Sequence, residues 1–250
     1  MSSNRIRPRI AIPLPHSGDP EYALRAIPQY ERAVELSGGE PVRIPLDRTP
    51  AEVMKLIERC DGVLLPGSKA DVDPAKFDAP KHPKTEAADP KRDTVDELLL
   101  QDAYNMHKPI LGICYGLQIL NVYRSGTLVQ HIESTVNHEA GRTAAVAHQV
   151  EIEAGSKLAQ IVGSGTISAN SSHHQSAEAV GDGLKVVAHS PSDHIIEGLE
   201  GTSPEHFVLA VQWHPERSFD EDASSRAIFR SLIEAAQEKR DELAGEFETA

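Results

Sequence analysis

Cysteine is scarce in this chain: Cys60 and Cys114 are the only two in 250 residues. Two thiols cannot build a disulfide framework, and no spacing around them resembles a zinc knuckle. Basic residues are also in deficit, 25 Lys+Arg against 38 Asp+Glu for a formal net charge of −13. Such a chain has no surplus of cations to displace phosphate counterions, which argues against nucleic-acid partners. No stretch approaches the roughly 18 apolar residues that cross a bilayer, which argues against a membrane span. The segment from Met1 to Ile10 carries Arg5, Arg7 and Arg9 but no apolar signal-peptide core. These absences predict a soluble, cytoplasmic globular protein. A chain of this length buries a substantial core as one large α/β domain or two small ones.

What is present is an alternation of strands and helices. Arg9–Ile12, Pro41–Ile44, Gly62–Leu65 and Pro109–Ile113 read as short apolar strands. Asp19-Pro20 caps a first helix, which Pro28 should kink or divide and Gly38-Gly39 should end. Residues 50–59 form a second helix, and Asp93 caps a third that runs to about Met106. A fourth follows at about 115–124. Residues 71–92 lack apolar periodicity and read as a long loop of the kind that often carries function. After residue 126, Val146–Ile152, Leu184–Ala188, Ile195–Leu199 and Phe207–Gln212 read as short strands added antiparallel to the sheet. A charged amphipathic helix from about Ala223 to Glu246 closes the chain, with Ile228, Leu232, Ala236 and Leu243 near one face. The alternation predicts a flavodoxin-like, doubly wound, mostly parallel sheet with helices on both faces and antiparallel additions. One domain then spans residues 1–250, with its core at about 9–217.

Gly112-Ile113-Cys114-Tyr115-Gly116 stands between an apolar strand and a helix, the setting of a nucleophile elbow. The helix N-terminus behind the sulfur should favour a thiolate. Alone, the pentapeptide fits a buried structural cysteine almost as well. Gln212-Trp213-His214-Pro215-Glu216 supplies a base and its orienter, since residues i and i+2 of extended chain face one side. Leu64-Leu65-Pro66-Gly67-Ser68 ends a strand where the Gly67 N–H could meet a developing oxyanion. Cys60 has no base beside it and reads as structural. His173-His174 suggests a metal only weakly, because neighbours on a strand point apart and no carboxylate or third ligand is placed nearby.

Together these segments resemble the class I glutamine amidotransferases, and within them the free-standing γ-glutamyl hydrolase branch, peptidase family C26. The resemblance covers roughly residues 9–217. It also rests on Asp71-Val72-Asp73-Pro74, Arg92-Asp93 with Glu97, Gly126-Thr127-Leu128 and Asn-Ser-Ser-His-His-Gln at 170–175. Ser68, Tyr115 and Ser125 depart from it; glycine is common at the first and third of these, arginine at the second. Tyr115 should alter the pocket rim.

The resemblance implies a cysteine-dependent hydrolase that cleaves a small γ-glutamyl amide through a thioester. In that reading Cys114 is the nucleophile, His214 the base and Glu216 its orienter. The backbone N–H groups of Gly67 and Tyr115 form the oxyanion hole, and Gln118, Ser171, Ser172 and His173 bind the glutamyl group. No cofactor or metal is implied, and the partners are the small substrate and a second copy in a homodimer. Two other readings stay open. One is a glutaminase subunit that passes ammonia to a synthase; the other is a non-catalytic binding protein on the same fold.

Overall fold

The computed structural model describes residues 6–248, with side chains as far as Glu242. Strands and helices alternate through the first half: β1 (Arg9–Pro13), α1 (Pro20–Leu36), β2 (Glu40–Ile44), α2 (Pro50–Ile57), β3 (Gly62–Leu65), α3 (Pro90–Met106), β4 (Ile110–Ile113) and α4 (Tyr115–Tyr123). The second half holds β5 (Leu128–Val129), β6 (His148–Ile152), α5 (Lys157–Val162), β7 (Gly165–Ala169), β8 (Ser176–Ala177), β9 (Leu184–His189), β10 (Ile196–Gly201), β11 (Val208–Val211), α6 (Pro215–Ser218) and α7 (Ala223–Glu248).

Nine strands form one sheet in the order β2-β1-β3-β4-β11-β10-β9-β6-β7. The first five are parallel, and β10, β9, β6 and β7 continue the sheet antiparallel. This is the flavodoxin-like strand order with an antiparallel extension. One expected addition differs: β11 runs parallel to β4 and is the fifth member of the parallel set.

Side-chain alternation explains why these apolar strands lie in the middle. Ile10, Ile12, Leu64, Leu111, Ile113, Leu209 and Val211 face a layer shared with Ile27, Val34, Phe229 and Leu232 of α1 and α7. Their neighbours Ala11, Val63, Leu65, Ile110, Val208 and Ala210 face the opposite layer, with Val53, Leu99 and Leu117 of α2, α3 and α4. A strand buried on both faces must be apolar throughout, which is how these segments read. Each fully buried Leu or Ile contributes roughly 1.5–3 kcal/mol relative to an exposed one.

Pro28 neither divides α1 nor ends it; the helix runs from Pro20 to Leu36. Pro28 is exposed, and so is Leu24 one turn earlier. The carbonyl that the proline leaves without a donor therefore faces water. The third helix begins earlier than expected, with Asp89 rather than Asp93 as its cap and Pro90 in its first turn. Asp89-Pro90 repeats the cap of α1, where Asp19 accepts from the Tyr22 N–H. The loop before it is shorter for that reason and contains a 3₁₀ turn at Pro74–Phe77. Along α7, Ile228, Leu232 and Ala236 are buried as expected, while the side chain of Leu243 lies outside the described residues. Among the described residues no helix is long and apolar enough to cross a membrane.

Candidate active site

The C-terminal ends of β1, β3, β4 and β11 meet at one edge of the sheet, where ligands of doubly wound folds bind. A cavity of about 790 Å³ opens there, lined by Cys114 and His214 together with His16, Tyr22, Ser68 and Asp71.

Cys114 turns the chain from β4 into α4 with φ 54° and ψ −107°. That conformation costs a residue bearing a side chain about 1–3 kcal/mol, and the surroundings hold it. A Cβ on Gly112 would lie 2.8 Å from the Gly116 carbonyl, and one on Gly116 would lie 2.2 Å from the Leu65 oxygen. Both glycines of the motif are thus required by packing. The elbow aims the sulfur past the edge of the sheet.

His214 follows β11, and its Nδ1 lies 2.7 Å from Glu216 Oε1. The pairing is as expected, but its route is not. Pro215 opens the short helix α6, so Glu216 reaches back from a first helical turn and not along extended chain. His214 Nε2 is buried with no hydrogen-bond partner among the described residues. Gly67 packs against both groups: a Cβ there would stand 3.1 Å from His214 Cε1 and 3.6 Å from Cys114 Cβ.

Burial pushes the Cys114 thiol up to about 12, against the pull of Arg217. Desolvation of the sulfur thus opposes the thiolate that the helix terminus was expected to favour. Burial also holds His214 below its ordinary value, opposed by Glu216. Glu216 itself is buried, yet His214 and Arg217 keep it below the usual carboxylate range. These directions favour a neutral thiol and a neutral imidazole, with an ionised carboxylate behind them.

The other expected site residues divide. The Tyr115 N–H points to the Cys114 sulfur. The Gly67 N–H is donated to Tyr30 Oη at 3.1 Å. Ser172, His173 and Gln118 line the cavity. The Gln118 amide nitrogen is already engaged, donating to the Gln175 carbonyl at 3.2 Å and to Gln212 Oε1 at 3.4 Å. Ser171 is not in the cavity lining; it is fully buried and its hydroxyl donates to the His138 carbonyl at 2.8 Å. The Tyr115 side chain is not at the rim either. It turns into the core between α4 and α3, where its hydroxyl donates to Asp93 Oδ1 at 2.6 Å and the Arg92 guanidinium lies over its ring. The hydrogen bond to Asp93 and the overlying Arg92 guanidinium hold it there, outside the cavity lining.

Ser125 explains its own departure: it sits at φ 70°, a left-handed conformation that glycine adopts without strain. Cys60 is buried after α2, where its thiol donates to the Leu56 carbonyl at 3.3 Å and desolvation pushes it up to about 11.

Three features were missed in the sequence. Asn170 holds the backbone of His214 through two hydrogen bonds. Arg25, Lys69, Lys84, Arg142 and Arg217 outnumber Asp71, Glu86 and Glu139 in the cavity lining, a local reversal of the chain's negative charge. His173 and His174 do point apart, His174 Nε2 lying 3.1 Å from Asp71 Oδ1. Yet the expectation that no carboxylate or third ligand stands near His173 fails: His138, His148 and Glu197 converge on it from remote parts of the chain. Histidine spacing could not reveal this, because the four lie on separate segments.

Comparison with known proteins agrees with this architecture. The family model described as Peptidase C26 matches residues 15–216. "Putative glutamine amidotransferase Rv2859c" of Mycobacterium tuberculosis is 35% identical over 211 residues, which cover 83% of this chain and 66% of that protein. "Gamma-glutamyl-gamma-aminobutyrate hydrolase PuuD" of Escherichia coli K12 is 31% identical over 220 residues, covering 84% of this chain and 85% of that one. In structure, a "putative gmp synthase subunit a protein" from Thermoplasma acidophilum superposes with a TM-score of 0.67 at 16% identity, covering 96% of this chain and 100% of that one; this likeness concerns the fold alone. By the span of the family match, the chain belongs to the peptidase C26 family.

Proposed function

We propose that this chain hydrolyses the γ-glutamyl amide bond of a small compound through a thioester on Cys114, releasing glutamate and an amine. The observation that carries the reading is the shared cavity of Cys114 and His214, with Glu216 hydrogen-bonded behind the imidazole. In this reading the neutral His214 Nε2 takes the Cys114 proton as the sulfur attacks the δ-carbonyl carbon. The carbonyl oxygen becomes an oxyanion beside the Tyr115 N–H, and the Gly67 N–H transfers to it from Tyr30 Oη. One such donor is worth about 3 kcal/mol of transition-state stabilisation. Collapse breaks the C–N bond, and the His214 proton passes to the leaving amine. Water then gives a proton to His214 and attacks the thioester, which frees glutamate and restores the thiol.

The cation excess of the cavity suits a substrate that carries a free α-carboxylate. Arg217 is the best-placed of these cations, because its Nη1 is buried with no hydrogen-bond partner among the described residues. The relationship to a γ-glutamyl-γ-aminobutyrate hydrolase supports the same chemistry. The test is a panel of γ-glutamyl amines, γ-glutamyl amino acids and glutamine incubated with the purified chain, reading glutamate. Release by the chain alone is expected. Activity that appears only when a synthase is added supports the ammonia-delivering reading instead.

A further inference from the structure

Beside the cavity, which His173 also lines, four buried side chains direct their polar atoms at one point. They are His138 on the loop after β5, His148 at the start of β6, His173 on the loop before β8 and Glu197 in β10. The facing atoms lie within 4.8 Å of one another. His138 Nδ1, His148 Nε2 and His173 Nε2 stand 3.2, 3.3 and 3.6 Å from Glu197 Oε1. All four residues are at least nine-tenths buried, and none of these atoms has a satisfactory hydrogen-bond partner among the described residues.

The outer side of each ring explains the arrangement. His138 Nε2 lies 2.9 Å from Asp193 Oδ2, His148 Nδ1 lies 3.0 Å from the Gln149 carbonyl, and His173 Nδ1 lies 2.9 Å from the Gln175 carbonyl. Those oxygens only accept, so each outer nitrogen carries the proton. In a neutral ring the inner nitrogen then presents a lone pair. Three lone pairs and a carboxylate thus converge in a buried space without a donor, which is unfavourable unless a cation sits among them. An outer N–H on a carboxylate or carbonyl is also how metal-binding histidines are oriented.

We propose that His138, His148, His173 and Glu197 bind a divalent transition-metal ion, Zn²⁺ by ligand type, in a four-coordinate structural site. A tetrahedral ion about 2.0–2.1 Å from each ligand needs ligand atoms roughly 3.3 Å apart, close to the separations from Glu197 Oε1. Three nitrogens and one oxygen complete that coordination, so the site is closed and no open position is left for substrate. Its effect is mechanical. The ion joins β6 and β10 to the loop of Asn170 and His173, and Asn170 in turn holds the backbone of His214.

The test is metal analysis of the purified chain, followed by chelation and titration with Zn²⁺ monitored by calorimetry and melting temperature. About one Zn²⁺ per chain is expected, bound with a rise in Tm. Glu197→Gln and His148→Ala should abolish stoichiometric binding. Asp193→Asn, which changes the partner of the outer nitrogen of His138 and leaves all four ligands in place, should weaken Zn²⁺ affinity by about 10–100-fold. Cys114→Ala and His174→Ala should leave it intact, which separates this site from the cavity. If the ligand variants do not fold, Co²⁺ added to the chelated wild-type chain decides: the intense visible bands of tetrahedral Co²⁺ are expected. A chelated chain that shows neither those bands nor a Zn²⁺-dependent rise in Tm overturns the proposal, as does Zn²⁺ binding of undiminished affinity in folded Glu197→Gln.

Discussion

Asn170 clamps His214 by its main chain: the amide Nδ2 donates to the His214 carbonyl and Oδ1 accepts the His214 N–H, both at 2.9 Å. The imidazole is thus fixed twice, at its backbone by Asn170 and at its ring by Glu216. Removing the amide leaves the buried His214 N–H without a partner, at a cost of about 1–3 kcal/mol, whereas the His214 carbonyl keeps the Arg217 N–H at 3.1 Å. Asn170→Ala should therefore lower stability by about 1–3 kcal/mol and reduce kcat more than it raises KM. Denaturant unfolding and steady-state kinetics on the same preparation check both parts.

Gly67 and Gly116 should separate activity from folding. A Cβ on Gly116 would lie 2.2 Å from a backbone oxygen that cannot move alone, whereas one on Gly67 would meet side-chain atoms at 3.1 Å. Gly116→Ala should destabilise the chain by several kcal/mol, in the range of about 3–5 seen for the severest core changes. Gly67→Ala should fold but lose about 10-fold or more of kcat/KM, because its methyl displaces His214 from the thiol. Melting curves and hydrolysis rates for the pair read this out.

The acid limb of the rate profile follows from His214. As a base it must be neutral, and burial lowers its value below the ordinary one. Its neutral form then persists to lower pH, so kcat/KM should stay level down through pH ~6.5 and fall only below it. Glu216 opposes that lowering, so Glu216→Gln should move the limb further to acid. The same change faces the protonated His214 Nδ1 with an amide in place of a carboxylate, and should reduce kcat by about 10³–10⁴-fold.

Cys114 should give no sign of a low-pKa thiol in the free enzyme. Its value is pushed up to about 12 by burial. Iodoacetamide alkylation should rise continuously from pH 6 to pH 9 without the plateau that a preformed thiolate produces. Peptide mapping of the labelled sites separates Cys114 from Cys60.

The parallel half of the fold and the nucleophile were legible because both are local. Strands buried on two faces read as apolar runs, and the packing of Gly112 and Gly116 leaves no other residue at those places in the elbow. The antiparallel extension was harder. The five residues of β7 are half exposed at the sheet edge and carry no apolar run, so nothing marks them as a strand. The direction of the Tyr115 side chain depends on Asp93 and Arg92, more than 20 positions upstream. The cluster at Glu197 joins residues up to 59 apart, carried by two strands and two loops that meet only in the folded chain. Charge misled in a similar way: a total of −13 conceals a cavity with more cations than carboxylates.

Covalent catalysis by Cys114 is read out by intact-mass spectrometry of the chain quenched in acid during turnover of a γ-glutamyl amide. A transient adduct with the mass of a glutamyl acyl group is expected, mapped to Cys114, absent in Cys114→Ala and formed at a rate that keeps pace with glutamate release. Glutamate release at full rate by Cys114→Ala, or turnover with the acyl group on any other residue, would contradict it.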